Sequence, residues 1–178
     1  MILKLLPQND PMLKMKSVDF DFSIQPSIEL HDSVKLFESL KETMIANNGI
    51  GLSAIQVGIA LRVFVIGDPS NPESIIPVFN PIIVDKSDDM EYYEEGCLSF
   101  PGLFVKVKRP KAIRVRFADT KGDVQTIKYE GITARVFQHE YDHMDGILYT
   151  RRANPYHLDL ARNQKRKLDK MKNAKLRG

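Results

Sequence analysis

The clearest pattern near the start of the chain is that of an amphipathic helix. Apolar residues recur at steps of three and four, with charged residues between them, at Leu30, Val34, Phe37, Leu40 and Met44. This period predicts a helix of roughly sixteen residues that packs one face on a core. The Asn-Asn-Gly sequence at 47–49 predicts its end, because asparagine and glycine tolerate the backbone that closes a helix.

The middle of the chain is rich in β-branched and aromatic residues with the period of two that is typical of strands. The predicted strands are 61–66, 77–84, 105–107, 113–118 and 124–129, with either a polar connection or a short strand at 90–94. Pro81 indicates a sheet edge or a bulge, because proline cannot donate to a ladder. A turn at 120–123 joins the last two strands, so we expect a mostly antiparallel sheet.

A second helix is predicted from about Ile132, and it carries the sequence His-Glu-x-x-His. On a helix, His139 and His143 lie one turn apart on one face, so both rings can bind one cation. Glu140 lies beside them and can reach a water molecule, which is the arrangement of metal-assisted hydrolysis. The alternative is a solvated helix with surface histidines. The apolar residues at the start of the helix favour the metal site.

Cys97 is the candidate for a third ligand. A lone cysteine is more often a small buried apolar residue. A thiolate with two imidazoles, however, gives a tight site for zinc or ferrous iron, with a fourth position left for water. Residues 49–58 form a glycine-rich stretch that either turns the chain or allows close approach of another backbone. In this stretch Gln56 is either a structural hydrogen bonder or a donor in the site.

Length and composition fit one globular domain, with 178 residues of which 43% are hydrophobic. A single cysteine excludes an intrachain disulfide and favours a reducing, cytoplasmic location. Neither a secretory signal nor a membrane span is expected. The net charge is +3, but residues 162–177 hold eight basic residues and one acidic residue, so the body is mildly acidic and the tail strongly basic.

Three stretches together resemble the peptide deformylase family. The chain has Gly-Ile-Gly-Leu-Ser-Ala-Ile-Gln at 49–56, Glu-Gly-Cys-Leu-Ser at 95–99 and Gln-His-Glu-Tyr-Asp-His-Met-Asp-Gly at 138–146. Their order and spacing match the family, and the resemblance runs from the first helix to Tyr149. One departure is Ser53, where the family usually has alanine, and a small local effect is expected from its hydroxyl.

The resemblance implies hydrolysis of the N-formyl group from the initiator methionine of new peptides, with release of formate. It also implies an α+β fold in which antiparallel strands pack around a central metal-binding helix, preceded by the amphipathic helix and followed by a basic C-terminal helix. The expected domain is 1–153, with 154–178 as a helical extension. The family uses Fe²⁺, and Zn²⁺, Ni²⁺ or Co²⁺ can replace it.

The resemblance also assigns roles residue by residue. The implied metal ligands are Cys97, His139 and His143. Glu140 matches the general base and acid, and Gln56 with the backbone N–H of Leu98 matches the donors to the developing oxyanion. For the substrate, the backbone at Ile50 and Gly51 could receive the peptide as an added strand.

Other assignments in the site are less specific. Ile50, Ile132 and Val136 are expected walls for the methionine side chain, with ordinary core packing as the alternative. Glu95 is expected near the substrate, or as an acceptor for a ligand histidine's second N–H. Asp142 either pairs with a basic residue such as Arg109 or is a solvated charge.

The basic tail predicts either a solvated helix or contact with RNA. Similar enzymes meet the ribosome near the exit tunnel, so we expect ribosomal RNA as a partner and a monomeric enzyme. Two other functions remain open. A zinc endopeptidase would take its third ligand downstream of the helix, and an RNA-binding protein with a structural metal would not need Glu140.

Overall fold

The computed structural model describes residues 1–24 and 32–175, so Leu30, at the start of the predicted amphipathic helix, lies outside the described residues. The helices are α1 (Ser33–Ala46), α2 (Gly131–Met144), α3 (Tyr149–Arg152) and α4 (Pro155–Lys175), with short 3-10 helices at Pro11–Lys14, Ala54–Val57 and Pro72–Ser74. The strands are β1 (Gly51–Ser53), β2 (Val63–Ile66), β3 (Ile76–Lys86), β4 (Met90–Glu95), β5 (Val105–Pro110), β6 (Ala112–Ala118) and β7 (Val124–Glu130).

Five of the strands form one antiparallel sheet in the order β1-β2-β3-β6-β7, and β4 pairs with β5 in a separate hairpin. The prediction that Pro81 marks an edge strand is wrong, because β3 lies in the middle of the sheet. The alternative of a bulge is confirmed by a register shift between Phe79 and Ile82 in the pairing with β6. At this irregularity the missing N–H of proline costs the ladder little.

Helices α1 and α2 cover opposite faces of the sheet, because successive side chains of a strand alternate between faces. On one face, Val63 and Val65 join the apolar side of α1. On the other, Phe64 packs against Phe137 of α2 with 5.0 Å between ring centroids. This burial fixes the rotation of α2 about its axis and turns its histidines away from the sheet. The expected α+β fold, with antiparallel strands packed around a central helix that carries His139 and His143, is therefore confirmed.

The β4–β5 hairpin closes the other side of α2. Arg135 and Gln138 of α2 donate to the carbonyl groups of Val107 and Pro110 in β5. A third apolar cluster joins β5 to α3 and α4 through Val107, Tyr149 and Ala161. None of the helices among the described residues has the length and apolarity that crossing a bilayer requires.

Candidate active site

The two histidines of α2 and the cysteine that follows β4 converge on one point. The ligand atoms of Cys97, His139 and His143 all lie within 4.8 Å of one another. Sγ of Cys97 is 3.3 Å from Nε2 of His143, and both histidines are buried. In residues 1–24 and 32–175 no other group of three such side chains has this geometry. One thiolate and two imidazoles match the donors that zinc or ferrous iron prefers.

A carboxylate holds the first histidine in place. Nδ1 of His139 donates to Oε2 of Glu95 at 3.0 Å, which leaves Nε2 free to face Cys97. Oε1 of Glu95 accepts from Nε of Arg109 at 2.6 Å and from Arg135 at 2.8 Å. Both oxygens are thus bound by protein donors, so the geometry supports the role of Glu95 as a histidine partner.

Arg109 continues this network towards the end of α2. Its Nη1 donates to Oδ2 of Asp142 at 2.8 Å, and Asp142 also accepts from Arg152 of α3. The predicted pairing of Asp142 with Arg109 is confirmed, and the alternative of a solvated charge is wrong because Asp142 is buried. The roles of Arg135 and Arg152 were not predicted. Position 135 lies one turn before His139, and this spacing was the available signal.

The pKa values of the titrating groups in the site are shifted in different directions. Burial by itself would raise the pKa of Glu95, but hydrogen bonds from His139 and Arg109 outweigh it and lower the pKa to about 2. Burial would lower the pKa of His139, yet hydrogen bonds with Cys97 and Glu95 raise it to about 10. Burial lowers the pKa of His143 well below its usual value, which favours the neutral ring. A metal ion at this cluster would compete with the proton on His139, so its binding would release protons.

Glu140 lies beside the two histidines and is almost fully buried. Burial raises the pKa of its carboxyl group above the usual value, which is the direction required of a group that takes up a proton and later returns it. Oε2 of Glu140 accepts from the hydroxyl of Ser53 at 2.5 Å. Close by, Gly51 leaves the space that the carboxylate fills, because a Cβ there would lie 2.6 Å from Oε1.

The amide of Gln56 points at the cysteine. Its Oε1 accepts from the backbone N–H of Ser53 at 2.9 Å, and this bond fixes which end of the amide is the donor. Nε2 of Gln56 then lies 3.4 Å from Sγ of Cys97 and 3.2 Å from Oγ of Ser99. Gln56 is buried, as a polar group with satisfied partners can be.

A cavity of about 210 Å³ opens beside these groups. The residues predicted for the metal, the chemistry and the substrate all line it except His143, with Glu95, Cys97, Leu98, Glu140, Gln56 and Gly51 among them. Its apolar walls include Ile50, Ile132 and Val136. Ile50 and Ile132 are 47% and 56% exposed, so they are not ordinary core residues.

Comparison with known proteins matches one family along almost the whole chain. The sequence profile of the polypeptide deformylase family matches residues 2–158. A peptide deformylase of Thermotoga petrophila is 39% identical over 166 residues, which cover 88% of this chain and 95% of that relative. The crystal structure of a peptide deformylase from Legionella pneumophila superposes with a TM-score of 0.82 at 32% identity and covers 100% of this chain and 99% of the other.

A third match is a class I type b peptide deformylase from Acinetobacter baumannii, solved with Met-Ala-Ser bound. It is 29% identical, with a TM-score of 0.75, and the match covers 85% of this chain and 98% of that one. An α+β fold with a Cys-His-His cluster beside a buried glutamate defines a metal-dependent hydrolase. The chain belongs to the polypeptide deformylase family, and it is an enzyme that removes the N-formyl group from newly made polypeptides.

Proposed function

We propose that Cys97, His139 and His143 hold one divalent metal ion and that Glu140 is the general base and acid of deformylation. The observation that carries this proposal is the convergence of the three ligand atoms beside a buried glutamate. A bound metal ion supplies Lewis-acid polarisation and lowers the pKa of a water molecule towards ~7. Fe²⁺ is the proposed metal, with Zn²⁺, Ni²⁺ or Co²⁺ as substitutes, since a thiolate with two imidazoles accepts each of them.

The protein's own groups have separate roles in the proposed reaction. Glu140 takes the proton of the attacking water and returns one to the amine that leaves. Nε2 of Gln56 and the backbone N–H of Leu98 donate to the oxygen on which negative charge develops. Glu95, with both oxygens bound by protein donors, keeps His139 oriented.

The proposed substrate is an N-formylmethionyl peptide. The cavity walls formed by Ile50, Ile132 and Val136 suit an unbranched apolar side chain, and the exposed Ile50 and Ile132 gain an apolar contact when it is bound. The backbone of β1 at Gly51 is an edge of the five-stranded sheet, so an extended peptide can add to it as a strand. The Met-Ala-Ser complex of the Acinetobacter enzyme supports this class of ligand.

The basic helix α4 is proposed to contact ribosomal RNA near the tunnel exit, where the enzyme would work on nascent chains as a cytoplasmic monomer. The described part of α4 has six basic side chains between Arg162 and Lys172. Within that part of the chain, ion pairs with acidic side chains are formed by Arg162 with Asp159 and by Lys165 with Asp169.

Ala161 of α4 is buried against the body of the protein. We therefore propose that residues 154–178 extend the catalytic domain 1–153 without forming a domain of their own.

Release of formate from formyl-Met-Ala-Ser by anaerobically prepared protein tests the chemistry. The variant Glu140→Ala should lose roughly 10²–10⁴-fold in kcat with its metal content unchanged, because only the proton transfers are removed. The matched control is Glu130→Ala, at the exposed last residue of β7 immediately before the same helix, which should keep full activity. Equal activity in Glu140→Ala and the wild type would exclude Glu140 as the base.

A further inference from the structure

We propose that the hydroxyl group of Ser53 positions the carboxylate of Glu140 for catalysis. This inference rests on the proposed role of Glu140 as the base. The sequence alone suggested only a small local effect at position 53, where the family usually has alanine. In the structure the Ser53 hydroxyl is hydrogen-bonded to the carboxylate of Glu140, so we assign to Ser53 a role that an alanine at this position could not have.

The hydrogen bond has no competing partner in solvent. Ser53 is fully buried in β1, and Glu140 is 4% exposed. Oγ of Ser53 lies 2.5 Å from Oε2 of Glu140 and 3.3 Å from the backbone carbonyl oxygen of the same residue. The hydroxyl has a single O–H donor, and the carboxylate, at the shorter distance, accepts the hydrogen bond from it.

The two oxygens of Glu140 therefore have different surroundings. Gly51 and Ser53 are two residues apart on β1 and share a face of the strand. Oε2 is held by Ser53, whereas Oε1 lies against Gly51, where an added Cβ would be only 2.6 Å away. Val136 closes the same space, since its Cγ1 would be 2.8 Å from that Cβ. One oxygen is anchored, and the carboxylate cannot rotate freely.

Ser53 also contacts Gln56, the proposed oxyanion donor, through its backbone N–H group. Its backbone N–H donates to Oε1 of Gln56 and so directs Nε2 of that amide towards Cys97. An alanine at position 53 would keep this backbone bond. The variant Ser53→Ala consequently removes the contact with Glu140 and the capping contact of the Ser53 side chain with the backbone of Gln56, and it keeps the backbone bond that orients the Gln56 amide.

Steady-state kinetics of metal-loaded enzyme with formyl-Met-Ala-Ser test the proposal. Ser53→Ala should lower kcat roughly tenfold, with KM within twofold of the wild type and metal content unchanged, because a base held less firmly spends less time in the reactive position. The control is Ser17→Ala, which removes a buried hydroxyl that has no hydrogen-bond partner among the described residues. It should leave both constants unchanged.

A second comparison shows whether the effect passes through Glu140. In Glu140→Asp the carboxylate is one methylene shorter and no longer meets Oγ, so adding Ser53→Ala should change kcat less than twofold. The proposal is overturned if Ser53→Ala keeps the wild-type kcat, or if it lowers kcat tenfold in both backgrounds. Full activity in Glu140→Ala would instead refute the proposed base, and so the two failures are distinguishable.

Discussion

At the scale of single residues, the site depends on one cysteine that arrives from outside the metal-binding helix. Cys97 lies 46 positions before His143, yet Sγ and Nε2 are 3.3 Å apart. Two histidines of a helix are a weak metal site by themselves, and the thiolate both adds charge and favours softer metals. Metal affinity should therefore respond to Cys97 more than to any residue outside the cluster.

We predict that Cys97→Ser lowers the metal affinity roughly tenfold or more, because a serine hydroxyl is a poor ligand at neutral pH. Metal per chain is measured by elemental analysis after dialysis against a weak chelator. His157→Ala, which changes a histidine of α4 outside the cluster, is the matched control and should retain its metal. A zinc endopeptidase with a downstream third ligand would keep its metal in Cys97→Ser, and that result would contradict the proposed ligand set.

At the scale of elements, α2 is held in place by apolar contacts on one side and by ionic contacts on the other. Phe137 packs on the sheet, and Arg109 of β5 bonds to Glu95 of β4 and Asp142 of α2. Arg109, Glu95 and Asp142 are all buried. Removal of one member of such a network leaves buried charge without its partner, which costs more than the pair contributes.

We predict that Arg109→Met lowers the free energy of unfolding by about 3 kcal/mol, at the low end for a broken buried ion pair. The loss stays at this end because Glu95 keeps Arg135 and Asp142 keeps Arg152. Urea denaturation followed by circular dichroism gives the value. Arg114→Met, at an exposed position of β6, is the control and should change it little. A change of the same size in both variants would mean that the buried network is not the cause.

At the scale of the whole molecule, catalysis belongs to the acidic body, and the proposed contact with the ribosome belongs to the basic tail. The β4–β5 hairpin, whose connecting loop carries Cys97, also packs against α4 through the cluster of Val107 and Ala161. The basic side chains of α4 lie on its solvent-facing side, mostly exposed. A surface of this kind binds polyanions through many weak phosphate contacts, and its affinity falls as salt releases them.

We predict that replacing Arg166, Lys167 and Lys170 by glutamine weakens binding to ribosomes and reduces the slope of log affinity against log salt, because each phosphate contact contributes to that slope. Cosedimentation at several salt concentrations measures both quantities. The matched control replaces Lys86, Lys111 and Lys121, which are exposed on the body. Both triple variants should deformylate the tripeptide normally, and equal losses of ribosome binding would refute a specific role for α4.

Much of this protein follows from its sequence because the relevant contacts are local. His139, Glu140 and His143 share a helix face as a consequence of helical periodicity, and the strands after residue 60 follow from alternation. The order of the three motifs was sufficient to indicate the family. The starts of α2 and of β6 each differ from the predicted starts by only a residue, since backbone hydrogen bonding fixes them locally.

The tertiary structure decided what depends on groups distant in sequence. Three features join separate elements: the convergence of Cys97 with the histidines, the hydrogen bonds from two arginines to Glu95, and the hydrogen bond from Ser53 to Glu140. Periodicity reports which face of an element is buried, but the partner that this face meets depends on how the sheet, α2 and the hairpin pack together. The sequence by itself therefore determined the family and indicated the proposed reacting groups, and the packing determined how those groups are held.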